Sequence, residues 1–192
     1  MRWSYSNLRG YKTLIVGDVG TGKTQLSQNL LLEASNIEPE IKVLDFAPPT
    51  KTYEGRHIGG FLINRKIPGV IHYKSESIKT PRASATTSEE LLELVEENYE
   101  TTLKMLMEFI VNPSKVLFIN DVSIHLQHGS IENILNAVKL SETSIINGYM
   151  GKFLSSDLGT GVSEVENKLM TDLADKMDTV IDLTKNESDK NE

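Results

Sequence analysis

Short apolar runs alternate along the chain with stretches that carry apolar residues at helical spacing. The run "TLIV" (13–16) predicts a buried strand, and Leu26, Leu30 and Ala34 then mark one face of a helix over 23–34. "IKVLDF" (41–46) predicts a second strand, stopped by Pro48 and Pro49. Residues 50–67 carry Gly55, Gly59 and Gly60 without a clear period and are expected to form a long functional loop. "GVIHY" (69–73) predicts a short strand. Thr87 followed by Glu90 has the spacing of a capping box, and Leu91, Val95, Tyr99, Leu106 and Ile110 continue it as one helical face that should end before Pro113. "KVLFIN" (115–120) and "TSIIN" (143–147) are near-continuous apolar runs, the mark of strands covered on both faces. A helix is expected over 131–140, and another opens at a second capping-box pattern, Ser163 and Glu166, and ends near Lys176. "DTVIDL" (178–183) predicts the last strand.

Strands alternating with helices predict an α/β fold with a mainly parallel central sheet flanked by helices in three layers. The length of 192 residues suits one domain, placed at 1–184, and the polar end at 185–192 is expected to be disordered. The absence of cysteine excludes disulfides and thiolate metal sites. No apolar run reaches the roughly 18 residues of a membrane span, and the first residues lack the apolar stretch of a signal peptide. A cytoplasmic protein with no membrane partner is expected. Net charge is −7, and the arginines (Arg2, Arg9, Arg56, Arg65, Arg82) all lie in the first 82 residues. That distribution allows a local anionic contact but gives no broad surface for tracking nucleic-acid phosphates.

The segment "GDVGTGKT" fits G-x-x-x-x-G-K-[ST] from Gly17 to Thr24. Gly17, Asp18, Val19, Gly20, Thr21 and Gly22 would turn successive N–H groups inward around an anion, at the start of a helix whose dipole also favours one. Lys23 would reach the outer phosphates, and the Thr24 hydroxyl would hold Mg²⁺. Asp121, ending the apolar run 116–120, would complete the metal site. Together these residues resemble the P-loop NTPase superfamily, its Walker A and Walker B motifs in order. The resemblance implies the three-layer P-loop fold and binding of a nucleotide with Mg²⁺.

Within that superfamily the guanine-reading N-K-x-D run is missing, since "NKLM" (167–170) ends in Met170, so ATP is expected over GTP. The arginine-free second half speaks against a nucleoside monophosphate kinase, whose phosphate clamps use the bidentate guanidinium. Val122 stands where many motor ATPases place a catalytic glutamate. RecA-like members instead carry an acidic activator after the second strand, where Glu54 and Asp45 are the candidates to orient water. Asn147 matches their polar sensor of the γ-phosphate, and Arg82 is a candidate to contact a phosphate in its own subunit or in a neighbour's, within a homo-oligomer. The order of segments 116–126, 146–163 and 166–183 is also similar to adenosylcobinamide kinase, which implies a small-molecule acceptor held by residues 50–85 and draws attention to His57. Three readings stand: an ATPase coupled to a partner, a small-molecule kinase, and a nucleotide-dependent interaction switch.

Overall fold

The computed structural model describes residues 3–184, so the expected tail at 185–192 lies outside the described residues. In chain order the elements are α1 (Tyr5–Leu8), β1 (Lys12–Gly17), α2 (Lys23–Ser35), β2 (Ile41–Asp45), β3 (Lys51–Tyr53), β4 (Arg56–Ile58), β5 (Val70–Lys74), α3 (Pro81–Ser84), α4 (Ser88–Val111), β6 (Val116–Asn120), α5 (Ser123–Leu126), α6 (Ile131–Lys139), β7 (Thr143–Tyr149), α7 (Val162–Ala174) and β8 (Thr179–Asp182). Six strands form one sheet in the order β5-β2-β6-β7-β1-β8, every pair of neighbours parallel. β3 and β4 pair antiparallel as a separate hairpin.

Side-chain alternation along the strands divides the core in two. Leu14 and Val16 of β1, with Leu117 and Ile119 of β6, pack against α4, α5, α6 and α7. Ile15, Val116 and Phe118 point to the other face, against α1, α2 and the segment carrying Leu62, Ile63 and Ile67. The inner strands are dry on both faces, so their sequences are unbroken apolar runs. Phe118 is wholly buried, and truncating such a ring to alanine costs about 3–5 kcal/mol. The fold is therefore the three-layer α/β arrangement that the alternation of elements predicts. Among the described residues, no helix is long and apolar enough to cross a membrane.

The expected cap of α4 forms: the Thr87 hydroxyl accepts the Glu90 N–H at 3.2 Å, and the Glu90 carboxylate accepts the Thr86 N–H at 2.7 Å. The second expected cap does not. α7 begins at Val162 behind Gly161, the Ser163 N–H is taken by the Asp157 carboxylate at 2.9 Å, and Glu166 turns inward to Arg82. The segment 50–67 is also not all loop. It contains the β3–β4 hairpin, whose two turn residues Glu54 and Gly55 both have positive φ, 45° and 75°, as a two-residue hairpin requires.

Candidate functional site

Parallel pairing brings the carboxyl ends of β1, β7, β6 and β2 to one edge of the sheet, ending at Gly17, Tyr149, Asn120 and Asp45. A cleft of ≈ 270 Å³ opens at that edge. One wall is the loop from Val19 to Gln25; the others carry Asn120, Asp121, Asn147, Tyr149 and the His57–Gly60 segment. Gly22 enters α2 with φ 90°, a conformation that a side chain would strain. The N–H groups of Gly20, Gly22, Lys23 and Thr24 find no backbone acceptor among the described residues. They and the start of the 13-residue α2 could together hold an anion.

The Lys23 ammonium donates to the carbonyls of Gly17 and Asp18 at 2.9 and 2.7 Å, with the Tyr149 ring 5.9 Å away. Burial lowers its pKa, against the pull of Asp121 and Asp18. Asp18 fastens the loop to the segment after β7: its carboxylate accepts the Val19 N–H at 2.6 Å and the Lys152 N–H at 2.8 Å. Burial pushes the Asp18 pKa up, but the N–H donors of Lys152, Val19 and Phe153 and the charge of Lys23 bring it below the usual range. This contact needs glycine at 151, where a Cβ would stand 2.2 Å from the Asp18 carboxyl carbon.

Asp121 leaves β6 with φ 58°, which a non-glycine residue holds only when its surroundings impose it. Asn147 supplies the constraint: its Oδ1 accepts the Asp121 N–H at 3.0 Å. The Asn147 Nδ2 donates to Ser27 Oγ at 3.0 Å and to Asn120 Oδ1 at 2.9 Å. Asn120 in turn donates to the Asp45 carboxylate at 2.7 Å and to the Gly60 carbonyl at 3.1 Å. Asp45 is fully buried, accepts the Leu62 N–H at 2.6 Å and meets His72 Nε2 at 2.9 Å. Burial raises the pKa of the Asp121 carboxyl, although the Ser123 hydroxyl at 2.6 Å, Lys23 and Arg82 pull the other way. A desolvated carboxylate thus faces a desolvated ammonium and a ring of free N–H donors across one cleft. Such an arrangement can receive an anion and a cation together.

The structure brings the glycine loop, Asp121 and Asn147 to this cleft. Arg82 lies in an adjoining cavity that shares Asp121, and it is engaged: its Nη2 donates to both Glu166 oxygens at 3.0 and 2.9 Å, with its side chain 6% exposed. In this conformation it is not presented to a neighbouring molecule. Glu54 is exposed at the hairpin turn and does not line the cleft, whereas His57 of the same hairpin does. Arg56 lies 4.6 Å from the Phe153 ring, which also meets Tyr53 edge-on, so the hairpin rests on the segment after β7. Asp45 buttresses Asn120 from below rather than lining the cleft. Among the described residues lining the cleft, Asp121 is the sole carboxylate. Asn120, Ser27 and Glu166 are contributors that the sequence reading missed. Asn120 alone had a local signal, as the polar residue directly before Asp121.

No protein-family model matches the chain, and no curated protein matches it. Among solved structures, the chain is similar to the Pif1 helicase from Candida albicans, with TM-score 0.36 and 14% sequence identity. That likeness covers 93% of this chain and 37% of the helicase, so the chain spans little more than a third of its length. At that distance nothing about the activity follows.

Proposed function

We propose that the chain is a P-loop protein of RecA-like architecture that binds ATP with Mg²⁺ in this cleft and turns it over slowly. The observation that carries the reading is the pairing of the glycine loop at Gly17–Thr24 with Asp121 across one cleft, β7 and its Asn147 lying between their strands. The residues suit the ligand. Free N–H groups of the loop and the Lys23 ammonium would hold the phosphates. The Thr24 hydroxyl and the Asp121 carboxylate, which a nearby cation would keep ionised against the effect of its burial, would hold the metal. Bound Mg²⁺ supplies charge neutralisation on the phosphate oxygens. Lys23, which donates to the Gly17 and Asp18 carbonyls, would stabilise charge on the phosphoryl group once turned to it, and Asn147 keeps Asp121 in register. Among the described residues lining the cleft there is no second carboxylate to position water, and Glu54 would reach it only by movement of its hairpin. Slow turnover awaiting a partner follows from that chemistry. The preference for ATP rests on the missing N-K-x-D run.

One observation favours the kinase as a second reading. A cavity of ≈ 40 Å³ shares Asp121 with the cleft and is lined by Thr80, Arg82 and Gln127, whose buried Oε1 has no partner. It has room for the end of an acceptor bearing a hydroxyl or amine donor.

The deciding experiment measures nucleotide binding and phosphate release with Mg²⁺ for ATP and GTP, in wild type and Lys23→Ala. ATP-preferring binding with slow release, both lost in Lys23→Ala, is the expected result. Binding without any release moves the reading to the kinase or the switch. Failure of both nucleotides to bind overturns it.

A further inference from the structure

A second cleft of ≈ 350 Å³ opens beside β5, at one edge of the sheet. Its rim carries Arg65, Lys66 and Lys74, and no carboxylate lines it. Its floor includes the buried Ile63 and Ile67 and the half-buried Val70. This concentration of positive charge stands out in a chain of net charge −7. Two of the three cations are also uncommitted, and the third has only a ring partner. Arg9 and Arg82 are held by Glu38 and Glu166, and Arg56 lies over Phe153. Among the described arginines, Arg65 alone has neither a carboxylate nor a ring partner, and Lys66 has no ion pair. Lys74 lies over the Phe61 ring at 4.5 Å and has no carboxylate.

The lining also includes His72, two residues before Lys74 and so on the same face of β5. Its Nε2 is fixed by the fully buried Asp45 at 2.9 Å, which orients the ring and leaves Nδ1 without a protein partner among the described residues. Asp45 leads through Asn120 and Asn147 to the Asp121 N–H, so an unbroken chain of hydrogen bonds joins the two clefts. A merely solvated basic rim has no need of a ring pinned from behind by a buried carboxylate.

We propose that this cleft is a second ligand site, for a small phosphorylated molecule. A planar guanidinium and two ammonium groups match a dianionic phosphate better than a single carboxylate. The isoleucine floor takes the uncharged body of the ligand. The site is independent of the nucleotide reading, because none of its lining residues belongs to the first cleft.

The chain has four histidines, one on each cleft (His57 and His72) and two elsewhere, so imidazole NMR separates the sites. Phenyl phosphate is titrated at constant ionic strength into wild type, Lys23→Ala and Arg65→Glu/Lys66→Glu. The expected result is a saturable shift of the His72 resonance that persists in Lys23→Ala and weakens at least tenfold in the double variant. An unmoved resonance of buried His125 shows that the double variant is folded. A His72 resonance that does not respond, that responds equally to sodium chloride, or that responds unchanged in the double variant overturns the proposal. A response to a single-stranded oligonucleotide but not to phenyl phosphate also overturns it, in favour of nucleic acid. A His57 response to Mg²⁺–ATP, whatever His72 does, reports on the nucleotide reading alone.

Discussion

Asn147 Oδ1 accepts the backbone N–H of Asp121 at 3.0 Å, and in doing so holds a non-glycine residue at φ 58° at the end of β6. The contact spans two adjacent parallel strands, so the carboxylate's position is set by a side chain from β7 rather than by β6 itself. Replacing Asn147 by alanine leaves the Asp121 N–H and one Asn120 oxygen unsatisfied in a buried network. The expected loss is about 1–3 kcal/mol of stability, together with a roughly tenfold weaker affinity for Mg²⁺–ATP, since 1.4 kcal/mol corresponds to a factor of ten. Urea unfolding and calorimetric titration check the two separately. Unchanged affinity alongside lost stability would limit Asn147 to a structural part.

The buried pair of Arg82 and Glu166 makes a different prediction. Removing only the arginine, as Arg82→Ala, strands a carboxyl that burial already pushes up to about 7, and should destabilise the fold by about 3–5 kcal/mol. Arg82→Ala combined with Glu166→Gln should recover most of that loss in thermal unfolding. A variant that keeps full stability but loses turnover only when the protein is concentrated would instead mean that Arg82 acts in a neighbouring molecule.

Asp18 tethers the glycine loop to the Lys152 N–H, and Gly151 leaves room for it. Gly151→Ala should expel the Asp18 carboxylate and loosen the loop at the moment a phosphate must be met. Asp18→Ala should do the same without steric strain. Both are expected to lower nucleotide affinity about tenfold, or roughly 1.4 kcal/mol, and each kcal/mol of lost stability should lower Tm by about 2–4 °C in a chain of this size. An Asp18→Ala protein that binds ATP as wild type does would show that the loop is preformed without its tether.

His125 gives a pH signature. Its ring is buried, accepts or donates at Thr102 Oγ1 over 2.8 Å, and lies 5.0 Å from the Tyr99 ring. Burial, with His128 beside it, lowers its pKa from 6.5 to about 4. Between these values the unfolded chain binds the proton and the folded chain does not, so stability is full above the unfolded pKa and falls as pH drops toward the folded one. At pH 5 this group alone should remove about 2 kcal/mol. Urea unfolding of wild type and His125→Asn at pH 7 and pH 5 isolates the effect, because shared carboxylate titrations cancel. An equal pH loss in both proteins would count against it.

The parts of the fold legible in the sequence are those set by local rules. The glycine loop and the apolar runs at 116–120 and 143–147 emerge where they should because backbone turn chemistry and two-sided burial leave a local pattern. The β3–β4 hairpin escapes the same reading because each strand is three residues long, too short to show alternation. Ser163 and Glu166 have capping-box spacing, yet the carboxylate belongs to Arg82, 84 residues away. The hydrogen bonds that hold Asp121 are of that second kind. Asn120 meets Asp45 across 75 residues and Asn147 meets Ser27 across 120, separations that no periodicity encodes. From the sequence, Asp45 and Glu54 are equally open as water-orienting candidates, and neither lines the cleft, since the sheet buries one and the hairpin turn exposes the other.

The amides of Asn120 and Asn147 stitch together the ends of three neighbouring strands, with α2 fastened through Ser27. Backbone pairing alone lets adjacent strand ends splay or fray independently. Here Asp45, Asn120 and Asn147 tie those ends to one another side chain to side chain, so the carboxyl edge of the sheet is closed by amides as well as by its backbone ladder.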